Sequence, residues 1–185
     1  MNATIDKKNQ RSKTQRVLTL TLDGDLYALD IFMVREILDV SQITRIPQAQ
    51  DCMLGVVNLR GNAVPVMDLR RRFGLPSGQR TVNSRIIIME FFNDQDLHLI
   101  GALADSVKEV LELDPAQVAP PPRMGTRAPI DLITGICRHN ERFVILLDAS
   151  KVFSLEEVIN AALLSGSVPL ETTQPQHAPG QGEMP

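Results

Sequence analysis

The sequence predicts a mainly β protein made of two copies of one five-strand unit, folded as two small barrels sharing a core, with a helix after the second copy. Three observations carry this. The stretch Gly55–Leu75, G-V-V-N-L-R-G-N-A-V-P-V-M-D-L-R-R-R-F-G-L, is answered 80 positions later by Gly135–Leu155, G-I-C-R-H-N-E-R-F-V-I-L-L-D-A-S-K-V-F-S-L. Gly55 aligns with Gly135, Asp68 with Asp148, Phe73 with Phe153 and Leu75 with Leu155. Upstream of each copy, Val34-Arg35-Glu36-Ile37-Leu38 is matched by Val107-Lys108-Glu109-Val110-Leu111. Finally, roughly ten short apolar runs are separated by turn residues, the spacing of sandwiches and small barrels.

The elements follow in order. Residues 1–15 are polar and aperiodic and read as a flexible tail. The first sixteen residues carry Lys7, Lys8, Arg11, Lys13 and Arg16 against Asp6; a basic run of this kind is most often a solvated one. Val17–Leu22 alternates apolar residues with Thr, Asp23-Gly24 is a tight-turn pair, and Leu26–Ile31 resumes the strand, so the chain opens with a hairpin. Phe32–Val40 mixes apolar and charged residues and reads as a strand with a bulge. Ile43–Pro47 is extended, because Pro47 disfavours helix in the residue before it.

Val64–Leu69 is a strand in spite of Pro65, which places that proline at an edge or a bulge. Asp68 caps a helical turn over Leu69–Phe73, and Gly74 stops it. Arg85–Phe92 and Leu97–Leu103 form a second hairpin around Asn93-Asp94-Gln95, and Val107–Leu113 repeats the earlier strand. Ala119–Gly125 is stiffened by Pro120-Pro121-Pro122. Ser154-Leu155-Glu156-Glu157 fits a capping box, and Leu155, Val158, Ile159, Ala162 and Leu163 share one face of the helix it opens. Rich in Pro, Gly and Gln, residues 165–185 are expected to be disordered. The domain proper spans 16–164.

Composition narrows the function classes. The net charge is -3, and the aromatics are six Phe, one Tyr and no Trp. Neither a phosphate-tracking surface nor a stacking platform for bases is visible, so no nucleic acid partner is expected. No apolar run approaches the roughly 20 residues of a membrane span, and the N-terminus lacks the apolar segment of a secretory signal. Cys52 and Cys137 read as buried free thiols in a reducing compartment. These features point to a soluble, cytoplasmic protein.

No motif for chemistry stands out. His98, His139 and His177 share no ligand spacing, so no metal is expected. There is no G-x-S-x-G elbow and no glycine-rich loop opening a helix. Acid–base work by Asp30, Glu36, Asp68 or Asp105 stays open at this level. Two features suggest binding instead. Arg60 sits in a turn between two strands, where it can pair with Glu36. The apolar Met33-Val34 and Ile37-Leu38 flank Arg35-Glu36.

Taken together, V-R-E-I (34–37), R-I-P (45–47), G-V-V-N-L-R-G (55–61), P-V-M-D-L (65–69), A-D-S-V-K-E-V (104–110), P-P-P-R-M-G (120–125), L-I-T-G-I (132–136) and V-I-L-L-D (144–148) resemble the CheW family of chemotaxis coupling proteins over about residues 15–164. Ala104 and Cys137 depart from the residue types common there. The resemblance implies two intertwined five-stranded SH3-like barrels, no catalysis and no cofactor. It implies an adaptor that joins the cytoplasmic tips of methyl-accepting chemoreceptors to the regulatory domain of a histidine kinase, and that reaches the membrane only through the receptors. Val34, Glu36, Gly55, Arg60 and Ile86 match positions linked to receptor contact. Val107, Val110 and Met124 match positions linked to kinase contact. Glycine at 55 would allow a partner's close approach.

A coupling module of a pilus- or surface-sensing pathway is the alternative, and a fused receiver domain is not expected. An enzyme on a double barrel would gather polar residues in a pocket. A nucleic-acid binder would carry a basic stripe. The adaptor predicts an apolar groove beside one Glu–Arg pair.

Overall fold

The computed structural model describes residues 14–40, 42–47, 51–93, 96–121 and 129–153. The helix expected from Ser154 onward, both tails and Met124 lie outside these residues. Among the described residues ten strands run in chain order: β1 (Gln15–Leu22), β2 (Asp25–Asp30), β3 (Val34–Asp39), β4 (Met53–Leu59), β5 (Asn62–Asp68), β6 (Arg85–Asn93), β7 (Asp96–Ala104), β8 (Ser106–Leu113), β9 (Ile133–His139) and β10 (Arg142–Leu147). Two single-turn helices, α1 (Leu69–Arg72) and α2 (Ala149–Val152), follow β5 and β10.

The strands form two five-stranded sheets, ordered β8-β1-β2-β10-β9 and β3-β6-β7-β5-β4. Replacing β1–β5 by β6–β10 and the reverse converts one order into the other. The sequence repeat is therefore a pseudo-two-fold in space, and the copies are swapped. Each sheet takes its first hairpin from one copy and its other three strands from the other copy. This is the intertwining that the resemblance implied.

Turn chemistry fixes the hairpins. Asp23-Gly24, Arg60-Gly61 and Asn140-Glu141 all have positive φ at both central positions, the backbone that matches the twist of the flanking strands. The caps repeat as well. The Asp68 carboxylate accepts from the Arg70 and Arg71 N–H groups, and that of Asp148 accepts from Lys151 N–H. Gly74, at φ +67, follows α1. After β3 and after β8 the chain crosses to the far edge of its own sheet. Thr44 exchanges two backbone bonds with Val56 of β4 (2.9 and 2.8 Å), and Ala119 does the same with Ile136 of β9. These crossings draw the two edges of each sheet together.

The apolar residues divide into three clusters. One lies within the first sheet (Val17, Ala28, Leu111, Cys137, Val144 and Leu146 among its members), and one within the second (Val57, Val64, Val66, Ile86, Ile88 and Leu103 among its members). The third and largest lies between the sheets. A strand serving two clusters is apolar on both faces. In β6, Ile86 and Ile88 point into the second sheet's own cluster, while Ile87 and Met89 point to the shared one. Period-2 alternation vanishes there for that reason. Tyr27 stacks on Phe73 at 5.6 Å and Phe91 meets Phe153 at 5.7 Å, so the aligned phenylalanines do matching work on the two sides.

Two details depart from or sharpen the sequence reading. Pro65 is not in an edge strand: β5 lies between β7 and β4. It is tolerated because the pairing of β5 with β7 begins only at Val66. Along β1 the register with β8 slips between Leu18 and Leu20, and Thr19, buried to 2% exposure, fills the irregularity. Its hydroxyl donates to the Glu109 carbonyl (2.7 Å) and accepts from the Glu109 N–H (3.1 Å). Thr19→Val keeps the shape and strands both backbone groups. The expected cost is about 1–3 kcal/mol, read as a lower denaturation midpoint in urea.

Candidate protein-interaction face

Strand β3 forms one edge of the second sheet, and the β4–β5 hairpin carries the other edge. Arg60, at the tip of that hairpin, reaches across and donates from Nη2 to Glu36 Oε2 at 3.2 Å. The predicted pair is thus formed, and it spans the sheet's two edges. Arg60 is 73% exposed and Glu36 22%. The local scaffold is tight: the Asn58 side-chain oxygen accepts from Gly61 N–H at 2.8 Å. Arg60 itself sits at φ +53. An L-residue there costs about 1–2 kcal/mol, whereas a pair as open as this returns about 0–1 kcal/mol. The positive φ is that of the hairpin turn, as at Asp23 and Asn140, and the pair itself adds little to stability.

Further ion pairs tie β3 to β6: Arg35 to Glu90 at 3.7 Å and Asp39 to Arg85 at 3.4 Å. Ile37 is 42% exposed, while Val34 is half-buried against the inter-sheet cluster. Just upstream, the β2–β3 connection meets β6 and α2 around a cleft of about 350 Å³, lined by Phe32, Met33, Glu90, Phe91, Phe92 and Ser150. Its walls are mostly apolar, and Phe32 and Phe92 stand 80% and 71% exposed. Sequence reading assigned neither aromatic to a surface. A strand-like run gives no sign of which of its residues pass beyond the core.

The other residues named for receptor contact take different places. The Ile86 side chain is fully buried in the second sheet's own cluster, on β6 beside Leu38 of β3, and is not exposed on the surface. Gly55 is buried too, at φ +138. A Cβ there would fall on the carbonyl oxygen of Thr44. In the structure, the close approach that glycine permits is that of the chain's own crossing segment.

The pseudo-two-fold repeats this face on the first sheet. Glu109 of β8 stands for Glu36, and it lies 3.8 Å from His139 at the end of β9. Val110 is 41% exposed on the same strand, Val107 is half-buried against the inter-sheet cluster, and Phe143 beyond the β9–β10 turn is 71% exposed.

The four carboxylates left open for acid–base work are engaged in structure. Asp30 and Asp68 cap helical turns, and Glu36 holds Arg60. Asp105 receives Arg70 through two bonds of 2.7 and 2.6 Å. Burial would raise the Asp105 pKa, but the Arg70 hydrogen bonds, the Asp23 N–H and the Arg70 charge together hold it below the usual carboxylate value. Bonding to Asp105 raises Arg70 in turn, against its own desolvation. Neither cysteine is bonded to the other. Cys137 is buried, which pushes its thiol up, and Cys52 is half-buried. No group of three or more His, Cys, Asp or Glu side chains gathers as a metal site among the described residues. No helix among them is long and apolar enough to cross a membrane.

Residues 16–157 match the family model described as the CheW-like domain. The chain belongs to that family. It is 34% identical to the chemotaxis protein CheW of Klebsiella aerogenes, over 84% of this chain and 92% of that one. With the CheW of Treponema pallidum it shares 30% identity over 80% of this chain and 88% of that one. The crystal structure of the scaffolding protein TtCheW from Thermoanaerobacter tengcongensis superposes with a TM-score of 0.69 at 31% identity, covering 80% of this chain and 94% of that chain. In this CheW-like chain the swapped sheets, the edge-spanning Glu36–Arg60 pair and the adjoining apolar cleft all lie within the matched residues.

Proposed function

We propose that this chain is a non-catalytic adaptor in a chemosensory array, coupling chemoreceptor tips to the regulatory domain of a CheA-type histidine kinase. The observation that carries the reading is the exposed Arg60 held against Glu36 across the sheet's two edges, beside the part-exposed Ile37. An apolar helix face laid along β3 would meet Val34 and Ile37, with Glu36 and Arg60 fixing its register. The kinase domain would use the equivalent face of the first sheet around Val107 and Val110, together with Met124, which lies outside the described residues. The protein would work in the cytoplasm and meet the membrane only through receptors. The relatives named above are called chemotaxis or scaffolding proteins, which favours this over a pilus- or surface-sensing role.

The test is binding of the full chain to an isolated receptor tip and, separately, to the kinase regulatory domain. Arg60→Ala should weaken receptor binding about tenfold or more, the loss expected of a central arginine contact, and leave kinase binding intact. Val110→Asp should do the reverse. Wild type that folds and binds neither partner removes the proposal.

A further inference from the structure

The pseudo-two-fold carries the Arg70 site, at one junction between the sheets, onto the cleft at the other, position by position. Val34 and Val107 are twins in the repeat, so their strand partners Met89 and Leu20 are twins as well. Counting along the chain from these pairs matches Asp105 with Phe32, Ser106 with Met33, Thr21 with Glu90, Leu22 with Phe91 and Asp23 with Phe92. Arg70 is matched with Ser150. The second member of every pair lines the cleft.

At the first junction the chain supplies its own cation. Arg70 binds Asp105 at 2.7 and 2.6 Å and Asp23 at 3.3 Å. The Gly78 backbone lies against the guanidinium, where a Cβ would stand 2.6 Å from the Arg70 Cζ. At the second junction serine replaces the arginine and phenyl rings replace the two carboxylates. A serine side chain is too short to span a space of about 350 Å³.

The lining still favours a cation. Phe32 and Phe92 are 80% and 71% exposed, and the faces of such rings attract a guanidinium. Glu90, where the first junction has Thr21, brings a carboxylate to the same walls. It lies 3.7 Å from Arg35, beyond hydrogen-bond length, so its oxygens keep acceptor sites for a second donor.

The β6–β7 hairpin also runs beyond its twin. Phe92↔Leu97 and Asn93↔Asp96 follow Phe91↔His98, whereas the β1–β2 pairing ends at Leu22↔Asp25. Leu97, opposite Phe92, is 43% exposed. The cleft therefore has a projecting apolar rim. A polypeptide can cover such a rim, while walls this open do not enclose a free small molecule.

We propose that the cleft of Phe32, Phe92 and Glu90 receives an arginine side chain of a partner protein, in the place that Arg70 of this chain holds at the other junction. Arginine is assigned over lysine because its planar head can stack on a ring while its edge meets a carboxylate. The assignment does not rest on the receptor or kinase reading.

The test titrates the full chain, methyl-labelled at Met, with the peptide acetyl-Leu-Arg-Leu-amide and with its citrulline analogue, which keeps the shape and loses the charge. The arginine peptide should shift the Met33 methyl signal saturably and bind about tenfold more tightly than the citrulline one. Glu90→Gln should remove that tenfold preference, and Phe92→Ala should weaken binding about threefold. Ser150→Arg, which supplies the cation from α2, should abolish peptide binding. The Met67 methyl, in the inter-sheet cluster, reports that each variant is folded. Equal binding of the two peptides, binding unchanged in any of the three variants, or no response of folded wild type at millimolar peptide overturns the proposal. Free arginine amide that binds as tightly as the peptide overturns the polypeptide as its source.

Discussion

Arg70→Ala is expected to lower stability by about 2–4 kcal/mol, among the largest effects of any single side chain outside the apolar clusters. Arg70 is only 17% exposed and binds Asp105 bidentately. Its Nη1 also donates to Asp23 (3.3 Å) and to the Pro76 carbonyl (3.0 Å). The network joins the β1–β2 turn of one sheet to the β7–β8 crossover and the end of β5 in the other. Cutting out the cation leaves Asp105 part-buried and uncompensated, the costly way to break such a pair. The figure stays below that of a fully buried pair because Asp105 and Asp23 are each about 30% exposed and water can re-enter. Urea denaturation of the variant against wild type measures it.

The pH dependence gives the same contact a second signature. In the wild type the folded-state pKa of Asp105 is lowered. Its contribution is therefore complete above the unfolded carboxylate pKa of about 3.9, and is lost as pH falls through the lower folded value. In Arg70→Ala, burial is opposed only by the Asp23 N–H, so the Asp105 pKa rises above its wild-type value. Protonation then relieves a buried charge. The variant's deficit should be largest near neutral pH and shrink as pH falls toward 4. A deficit that is constant over that range would assign the loss to packing of the arginine stem and not to charge.

The repeat was legible because its marks are local: V-x-E-(I/V)-L at 34–38 and 107–111, Asp before each helical turn, and glycine at 55 and 135. The Glu36–Arg60 pair was legible for a similar reason, since an arginine in a turn has few directions to reach. The swap was not. Two copies in a sequence do not state which hairpin joins which three strands, and either assignment satisfies every local rule. Arg70 passed without notice because Asp105 and Asp23 lie 35 and 47 positions away and only the crossover brings them near. Ile86 was named for receptor contact by the family resemblance alone, and because β6 is apolar on both faces no alternation in the sequence showed that its side chain is buried. The solvent-facing aromatics Phe32 and Phe92 were hidden by the same lack of contrast.

Gly55→Ala is the second large effect, expected at about 3–5 kcal/mol, enough to unfold a marginal domain. Two costs add. The backbone at φ +138 is one that L-residues leave, worth about 1–3 kcal/mol. The new methyl would also meet the Thr44 carbonyl group and the Arg45 Cα at 2.9 Å, which are backbone and cannot rotate aside. Relief requires the two Thr44–Val56 hydrogen bonds to open, and with them the crossing that draws the sheet's edges together. Gly135→Ala is the matched control. Gly135 is not at positive φ, and its Cβ would meet the movable Val118 side chain first and the Ala119 carbonyl oxygen at 3.0 Å. A cost of about 1–2 kcal/mol is expected there, as for modest overpacking. Thermal denaturation of both variants decides the matter. If Gly55→Ala melts like the wild type yet fails to bind a receptor tip, the glycine serves a partner after all. If it melts far below Gly135→Ala, any lost binding follows from the opened edge, and Arg60 remains the residue through which receptor contact should be tested.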